Sequence, residues 1–281
     1  MLSKKRKIFA YGIIAVFVSI ISMGQVNADV YENYYGIEIT NNEYNTLINL
    51  GFSEEEIYYM TEDTYLENKD LDATLVAKNS KYYKTTYTDL DGYSYTTEIT
   101  AEEYENQPTI NARGVVSTAY KEMISTLSQN GNKFRYKVSL LWKNMPERRS
   151  FDIIGIGFDD PVFIDSSVYF NFHWCNSSGS CTTDSSYYNK KKTSTGGSAV
   201  YDLPDNAYSL TTTLYYDVSK NTSNTITNLT MYADYAHATS NVSQSSIGDY
   251  DITRNGIELW SSIGNKYDAI PCAESYWNGT W

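Results

Sequence analysis

The chain has 281 residues, enough for one large domain or two small ones, and a formal charge of −12 from 22 basic and 34 acidic side chains. That balance excludes a general nucleic-acid binder, which needs a basic footprint to displace counterions from phosphates. Two histidines and three cysteines are too few for a zinc ribbon, a haem attachment or a histidine-rich metal site, so no metal and no cofactor is expected.

Lys4, Lys5, Arg6 and Lys7 open the chain with positive charge, and residues 8–23 carry none. Val26-Asn27-Ala28 then offers compact residues where a signal peptidase reads. The pattern predicts a secretory signal over residues 1–28, cut between Ala28 and Asp29. As a helix the apolar run would reach ~24 Å, short of the ~30 Å hydrocarbon core, so a membrane anchor fits less well. No later run approaches that length, and no cysteine follows this one to take a lipid. A secreted, extracellular protein with no transmembrane segment in the mature chain is expected.

Without the signal the charge is −16, of which residues 29–106 hold −14 and residues 107–281 hold −2. Such asymmetry suggests two modules with different surfaces. The uncharged Asn106-Gln107-Pro108-Thr109-Ile110-Asn111 reads as a linker, set at 107–114, between a module at 29–106 and a domain at 115–281.

In the acidic module, Thr40-Asn41-Asn42-Glu43 and Ser53-Glu54-Glu55-Glu56 both have the capping-box pattern. Tyr44, Leu47, Ile48 and Leu50 recur at helical spacing, and Gly51 stands where a helix end needs a left-handed residue. The expectation is a helical hairpin with Phe52 packed between its arms. Residues 81–88 and 93–99 follow, rich in Tyr and Thr, with Asp91-Gly92 between them as a hairpin turn. Asp89-Leu90-Asp91-Gly92 also resembles the opening of a calcium loop, but the later ligands are absent.

The rest of the chain alternates. Asn130-Gly131 reads as a two-residue turn setting Leu127 opposite Phe134, Ser125 opposite Tyr136 and Met123 opposite Val138. Phe134, Tyr136, Val138, Leu140 and Trp142 then share one face, with Lys133, Arg135 and Lys137 on the other. Residues 151–158 are apolar on both faces and predict a buried central strand. Val168, Phe170, Phe172 and Trp174 alternate with polar residues, as do residues 210–218. Residues 225–236 and 256–263 give two more strands. The fold class expected is mainly β, α+β overall: an antiparallel β-sandwich preceded by a helical hairpin and a β-hairpin.

Trp142-Lys143-Asn144-Met145-Pro146, the Arg149-Ser150-Phe151-Asp152-Ile153-Ile154-Gly155-Ile156 run and the Trp277-Asn278-Gly279-Thr280-Trp281 end carry a resemblance. The stretch resembles secreted Gram-positive bacterial proteins of no assigned function, over about the last 165 residues. The resemblance implies a family and a compartment and hands over no catalytic residue.

His173 and Cys175 share a strand face and could suggest a base and a nucleophile, but no third orienting group is identifiable. Cys175 joined to Cys181 across Asn176-Ser177-Ser178-Gly179-Ser180 is the simpler account in an oxidising compartment, and leaves Cys272 over. His237 reads as a packing residue. Asp159-Asp160 reads as a polar turn, since neighbours on a strand face opposite ways. Neither a Gly-x-Ser-x-Gly elbow nor a His-Glu-x-x-His zinc motif is present.

The reading that follows is a non-enzymatic binding protein for an extracellular glycan or protein. Candidate contacts are the basic face of Lys133, Arg135 and Lys137 and the loop tyrosines Tyr187 and Tyr188. A membrane-active β-type toxin is the alternative, resting on residues 209–218 and 225–236 as a hairpin with arms of membrane-strand length. A glycan-active hydrolase is the second, resting on scattered carboxylates. The acidic module is expected either to dock on the basic face or to stand clear of it.

Overall fold

A computed structural model describes residues 30–88, 94–107, 116–158, 161–270 and 272–281. The signal with its Ala28–Asp29 junction, the turn at 89–93, most of the expected linker and Asp159-Asp160 lie outside the described residues.

A small hairpin of β1 (Val30–Glu32) and β2 (Glu38–Thr40) leads into α1 (Asn41–Asn49). Helices α2 (Glu54–Tyr58) and α3 (Glu62–Asn68) follow. Thr40 and Ser53 form the two capping boxes, each hydroxyl taking the amide three residues on while the glutamate there reaches back. Between them Gly51 has φ +86°, and a Cβ there would lie 2.3 Å from the Thr126 hydroxyl, so the turn needs glycine twice over. Sequence periodicity did not mark α3.

Long strands come next: β3 (Ala73–Thr88), β4 (Ser94–Ile99), then after α4 (Ala101–Glu105) β5 (Val116–Asn130) and β6 (Lys133–Asn144). The remaining strands are β7 (Phe151–Gly157), β8 (Val162–Ile164), β9 (Tyr169–Asn176), β10 (Cys181–Asp184) and β11 (Asn189–Lys192). After these run β12 (Gly196–Asp202), β13 (Ala207–Lys220), β14 (Asn228–Ala238), β15 (Tyr250–Thr253), β16 (Gly256–Leu259), β17 (Tyr267–Ala269) and β18 (Ala273–Asn278).

Among the described residues two antiparallel sheets dominate. The larger runs β10-β9-β13-β6-β5-β3-β4, with β8 beside the end of β13. The smaller runs β11-β12-β7-β14, with β17 and β18 sharing the far side of β14. Their facing sides close on one core that takes Phe134, Tyr136, Val138, Leu140 and Trp142 from β6, and Ile154 and Ile156 from β7. The mainly β sandwich is therefore the fold, and β7 is its buried central strand.

Both outer faces are covered as well. Helices α1 to α3 lie on the large sheet around Leu47, Leu50, Phe52, Ile57, Met60 and Tyr215. Phe52 meets the Tyr215 ring edge-on at 5.8 Å, so it anchors the helices to the sheet instead of filling the gap between two helices. The β15–β16 hairpin and its flanks cover the small sheet around Ile153, Val200, Tyr250 and Ile252.

Three expectations need correction. The division at 107–114 does not match the strand pairing, because β3 pairs β5 from Ala73↔Asn130 to Thr88↔Val116. Charge reports on surfaces, whereas the sheet is joined by backbone bonds that charge does not reveal. The β5–β6 register also differs: Leu127 faces Tyr136, Ser125 faces Val138 and Met123 faces Leu140. The turn is centred on Gly131-Asn132, with φ +59° at Gly131 placing glycine first, as a type II′ turn requires. A slip of two residues keeps every side chain on its expected face, so the core survives the error. Finally, β13 and β14 do not pair with each other. They lie in opposite sheets, so the hairpin behind the toxin reading is not formed.

Candidate functional site

The expected basic face is spoken for. Lys133 is part-exposed and ion-paired with Asp165. Arg135 and Lys137, with side chains 2% and 1% exposed, lie beneath the helices. Arg135 pairs with Asp217 at 2.8 Å, donates to Asn68 and lies over the Tyr215 ring at 4.3 Å. Lys137 is ion-paired with Glu56 at 2.8 Å and donates to its Oε2 at 2.9 Å, to the Gly51 carbonyl at 3.0 Å and to Ser139 at 2.5 Å. Alternation marks these residues as pointing away from the sandwich core. It does not say whether water or a second layer lies beyond. The helices do dock on this face, and neither cation is left for a ligand.

Glu56 is saturated in turn. It also accepts from Ser139 and Thr213 hydroxyls at 2.8 and 2.5 Å and from the Ser53 amide at 2.7 Å. Burial alone would raise its pKa, but Lys137 and these donors outweigh that and hold it below the carboxylate range. Its neighbour Glu55 goes the other way, raised by desolvation and by the Glu56 charge. With Glu56 fully engaged, this pair cannot supply the acid and base of a hydrolase.

Tyr187 and Tyr188 are exposed on the link between β10 and β11, with Lys190 over the Tyr187 ring at 4.4 Å and Tyr188 edge-on to Phe151 at 4.6 Å. Cys175 and Cys181 are joined, and Cys272 is a free thiol. His237 is wholly buried: its Nδ1 meets Asp152 at 3.0 Å and its Nε2 meets the Tyr87 hydroxyl at 3.0 Å. That order of groups suits catalysis, but with Asp152 also at 0% exposure nothing outside can reach it.

The outward chemistry gathers elsewhere, where the α2–α3 turn meets the β9–β10 edge. Tyr34 packs against Tyr35, Tyr58 and Tyr59 at 5.2, 6.0 and 5.2 Å, and Tyr58 against Tyr59 at 4.7 Å. Tyr34 and Tyr35 are each 44% exposed, a large apolar area left in water. Buried Asn33 fixes the turn: its amide donates to the Met60 carbonyl at 2.8 Å, and its oxygen accepts from the Tyr35 and Ile37 amides at 3.0 Å. Tyr59 lies flat on the His173 ring, centroids 3.7 Å apart. The recess beneath, among Phe52, Glu55, Glu56, Tyr59 and His173, encloses only ≈ 20 Å³, room for water and not for a ligand. A partner must therefore engage the outer tyrosine face.

Burial pushes the Tyr59 phenol up to about 12, with Tyr58 and Glu55 adding to the effect. Burial also draws His173 down to about 4, so its ring is neutral at physiological pH. In the unfolded chain this imidazole titrates near 6.5. Stability tied to it is present above that value and is lost as pH falls toward 4. Asp234, raised to about 7 by burial, acts in the opposite sense and loses stability as pH rises through its folded value. Comparing His173→Asn with the parent cancels the Asp234 contribution. The stability difference should move in the variant's favour by at most about 3 kcal/mol between pH 6.5 and 4, read from urea midpoints.

Sequence reading did not single out Tyr34, Tyr35, Tyr58 and Tyr59 as a site. The usable signal was the two tyrosine doublets, since adjacent residues cannot both face one core.

No protein-family model matches the chain, and no curated protein matches it in sequence. Among solved structures it is similar to the collagen binding domain of the Erysipelothrix rhusiopathiae surface protein RspB, at 6% identity and a TM-score of 0.27. That match covers 58% of this chain, which spans 66% of the RspB domain's length. The KRT10-binding region domain of the pneumococcal serine rich repeat protein PsrP is similar at 11% identity and a TM-score of 0.24, over 65% of this chain and 98% of that one. AvmM, which catalyses macrocyclization in alchivemycin A biosynthesis, is similar at 12% identity and a TM-score of 0.23, over 51% and 80%. At such scores the functional reading rests on the site itself.

Proposed function

We propose that this is a secreted, non-enzymatic binding protein whose tyrosine face takes a basic segment of an extracellular polypeptide. The observation that carries this is the half-exposed cluster of Tyr34, Tyr35, Tyr58 and Tyr59 beside the acidic start of α2. Tyrosine rings offer large contact area at low entropic cost and anchor many interfaces. Their faces are electron-rich and attract lysine and arginine. The first turn of α2 adds Glu54 and Glu55 within electrostatic reach of Tyr31 and Tyr59. The rings also stand at 53–89° to one another, a faceted surface suited to side chains more than to a flat sugar.

The test is a binding titration of immobilised mature protein against oligolysine, oligoglutamate and a soluble chito-oligosaccharide. Oligolysine should bind, with affinity falling as salt rises. Tyr34→Ala/Tyr35→Ala should weaken it about tenfold or more, equivalent to about 1.4 kcal/mol, with circular dichroism showing that the variant is folded at the assay temperature. Equal binding by the variant, or preference for the sugar, would overturn the reading.

A further inference from the structure

We propose that His173, Cys175 and Cys181 form a zinc site that is closed while the disulfide is intact and opens when a thiol reductant cleaves it. The site borders the tyrosine face and does not depend on the binding function assigned to that face.

The contacts around Thr183 hold the imidazole in place. Its hydroxyl meets the Tyr59 carbonyl at 3.2 Å, accepts from the Tyr35 hydroxyl at 3.0 Å and lies 3.1 Å from His173 Nδ1. His173 Nε2 lies 3.4 Å from Cys175 Sγ, which carries no proton while it is joined to Cys181. With Nδ1 donating to Thr183, the Nε2 lone pair is the one a metal ion would take. A ligating histidine is commonly held this way, its far nitrogen bonded to a second group that fixes tautomer and direction. The Tyr59 ring stacked at 3.7 Å clamps the imidazole from above.

The strand geometry supplies the other ligands. Cys175 and Cys181 are directly paired across β9 and β10, and His173, two residues along, faces the same way. A ring nitrogen of His173 and the two sulfur atoms all lie within 4.8 Å of one another. Tetrahedral zinc, with bonds of about 2.0–2.3 Å, sets its ligand atoms about 3.3–3.8 Å apart. The histidine–cysteine spacing is already of that size. The Tyr59 hydroxyl lies 3.7 Å from Cys181 Sγ, and water can complete the fourth position. Two thiolates would cancel the charge of the zinc ion, which suits a half-buried place. Both cysteines are part-exposed, so a small reductant can reach them.

The chemistry balances. Two equivalents of a small thiol reduce the Cys175–Cys181 bond, becoming a disulfide themselves and leaving two protein thiols. Zinc then displaces the two thiol protons, which pass to solvent.

The experiment uses the mature protein carrying Cys272→Ser, so that only this pair of sulfurs can respond. Samples are kept oxidised or reduced with a dithiol, desalted without oxygen and titrated with Zn²⁺, with circular dichroism confirming the fold. The reduced protein should take one zinc per chain and release two protons, while the oxidised protein takes none. Cobalt(II) in place of zinc should give thiolate charge-transfer absorbance. His173→Asn keeps a donor for Thr183 and loses Nε2, and should weaken zinc binding tenfold or more. Zinc uptake that ignores the disulfide or His173, or its absence from the reduced protein, folded or not, would overturn the proposal.

Discussion

Glu56→Gln should destabilise the protein by about 3–5 kcal/mol, because it strands the Lys137 ammonium beneath the helices without its counter-charge. Lys137 would keep Gly51 and Ser139 as acceptors, at 3.0 and 2.5 Å, but neither carries charge. The neutral amide would also turn a donor toward one of the groups now donating to Glu56. The double variant Glu56→Gln/Lys137→Met should recover a large part of the loss, since an apolar chain beside Phe52 needs no partner. Urea melts of the single and double variants give the coupling directly. A Glu56→Gln protein as stable as the parent would show that the pair is solvated and the helices loosely held.

A loss of similar size is expected for Asp152→Asn. Asp152 is the acceptor on which a buried chain of donors ends. The Trp142 indole donates to Tyr235 at 3.2 Å, and the Tyr235 hydroxyl donates to Asp152. His237 Nδ1 donates at 3.0 Å and the Ala238 amide at 2.8 Å. His237 Nε2 then takes the Tyr87 hydroxyl proton at 3.0 Å. An asparagine has one acceptor oxygen for donors that now use two, so its amide would face a donor in a site closed to bulk solvent. The cost should be about 3–5 kcal/mol, against about 1–2 kcal/mol for Tyr87→Phe, which removes only the last bond. Denaturation midpoints of both variants check the ranking.

Much of the frame was legible in sequence because its causes are local. Thr40 and Glu43, or Ser53 and Glu56, find each other within one turn whatever the rest of the chain does. Likewise, Phe134 to Trp142 must share a face once they form a strand. Arg135 and Lys137 were misread because a polar stripe looks the same under water and under helices that supply Asn68 and Glu56. The segments 209–218 and 225–236 were misread for a related reason, since alternation suits a hairpin and a crossover between sheets equally. The tyrosine face was hidden more deeply. It exists only because the turn at Tyr34-Tyr35, the α2–α3 turn and the β9–β10 edge, far apart in the chain, meet in space.

The helical layer also fixes an order of events. Its polar anchors lie far downstream: Thr64 meets Tyr169, Asn68 meets Tyr215 and Glu56 meets Thr213, at separations of 105, 147 and 157 residues. Contacts across such distances carry a large loop-closure cost and form slowly. The segment made first therefore settles late, because the strand it rests on, β13, is completed only at Lys220. Glu56 waits as well for its counter-charge, since Lys137 follows it by 81 residues.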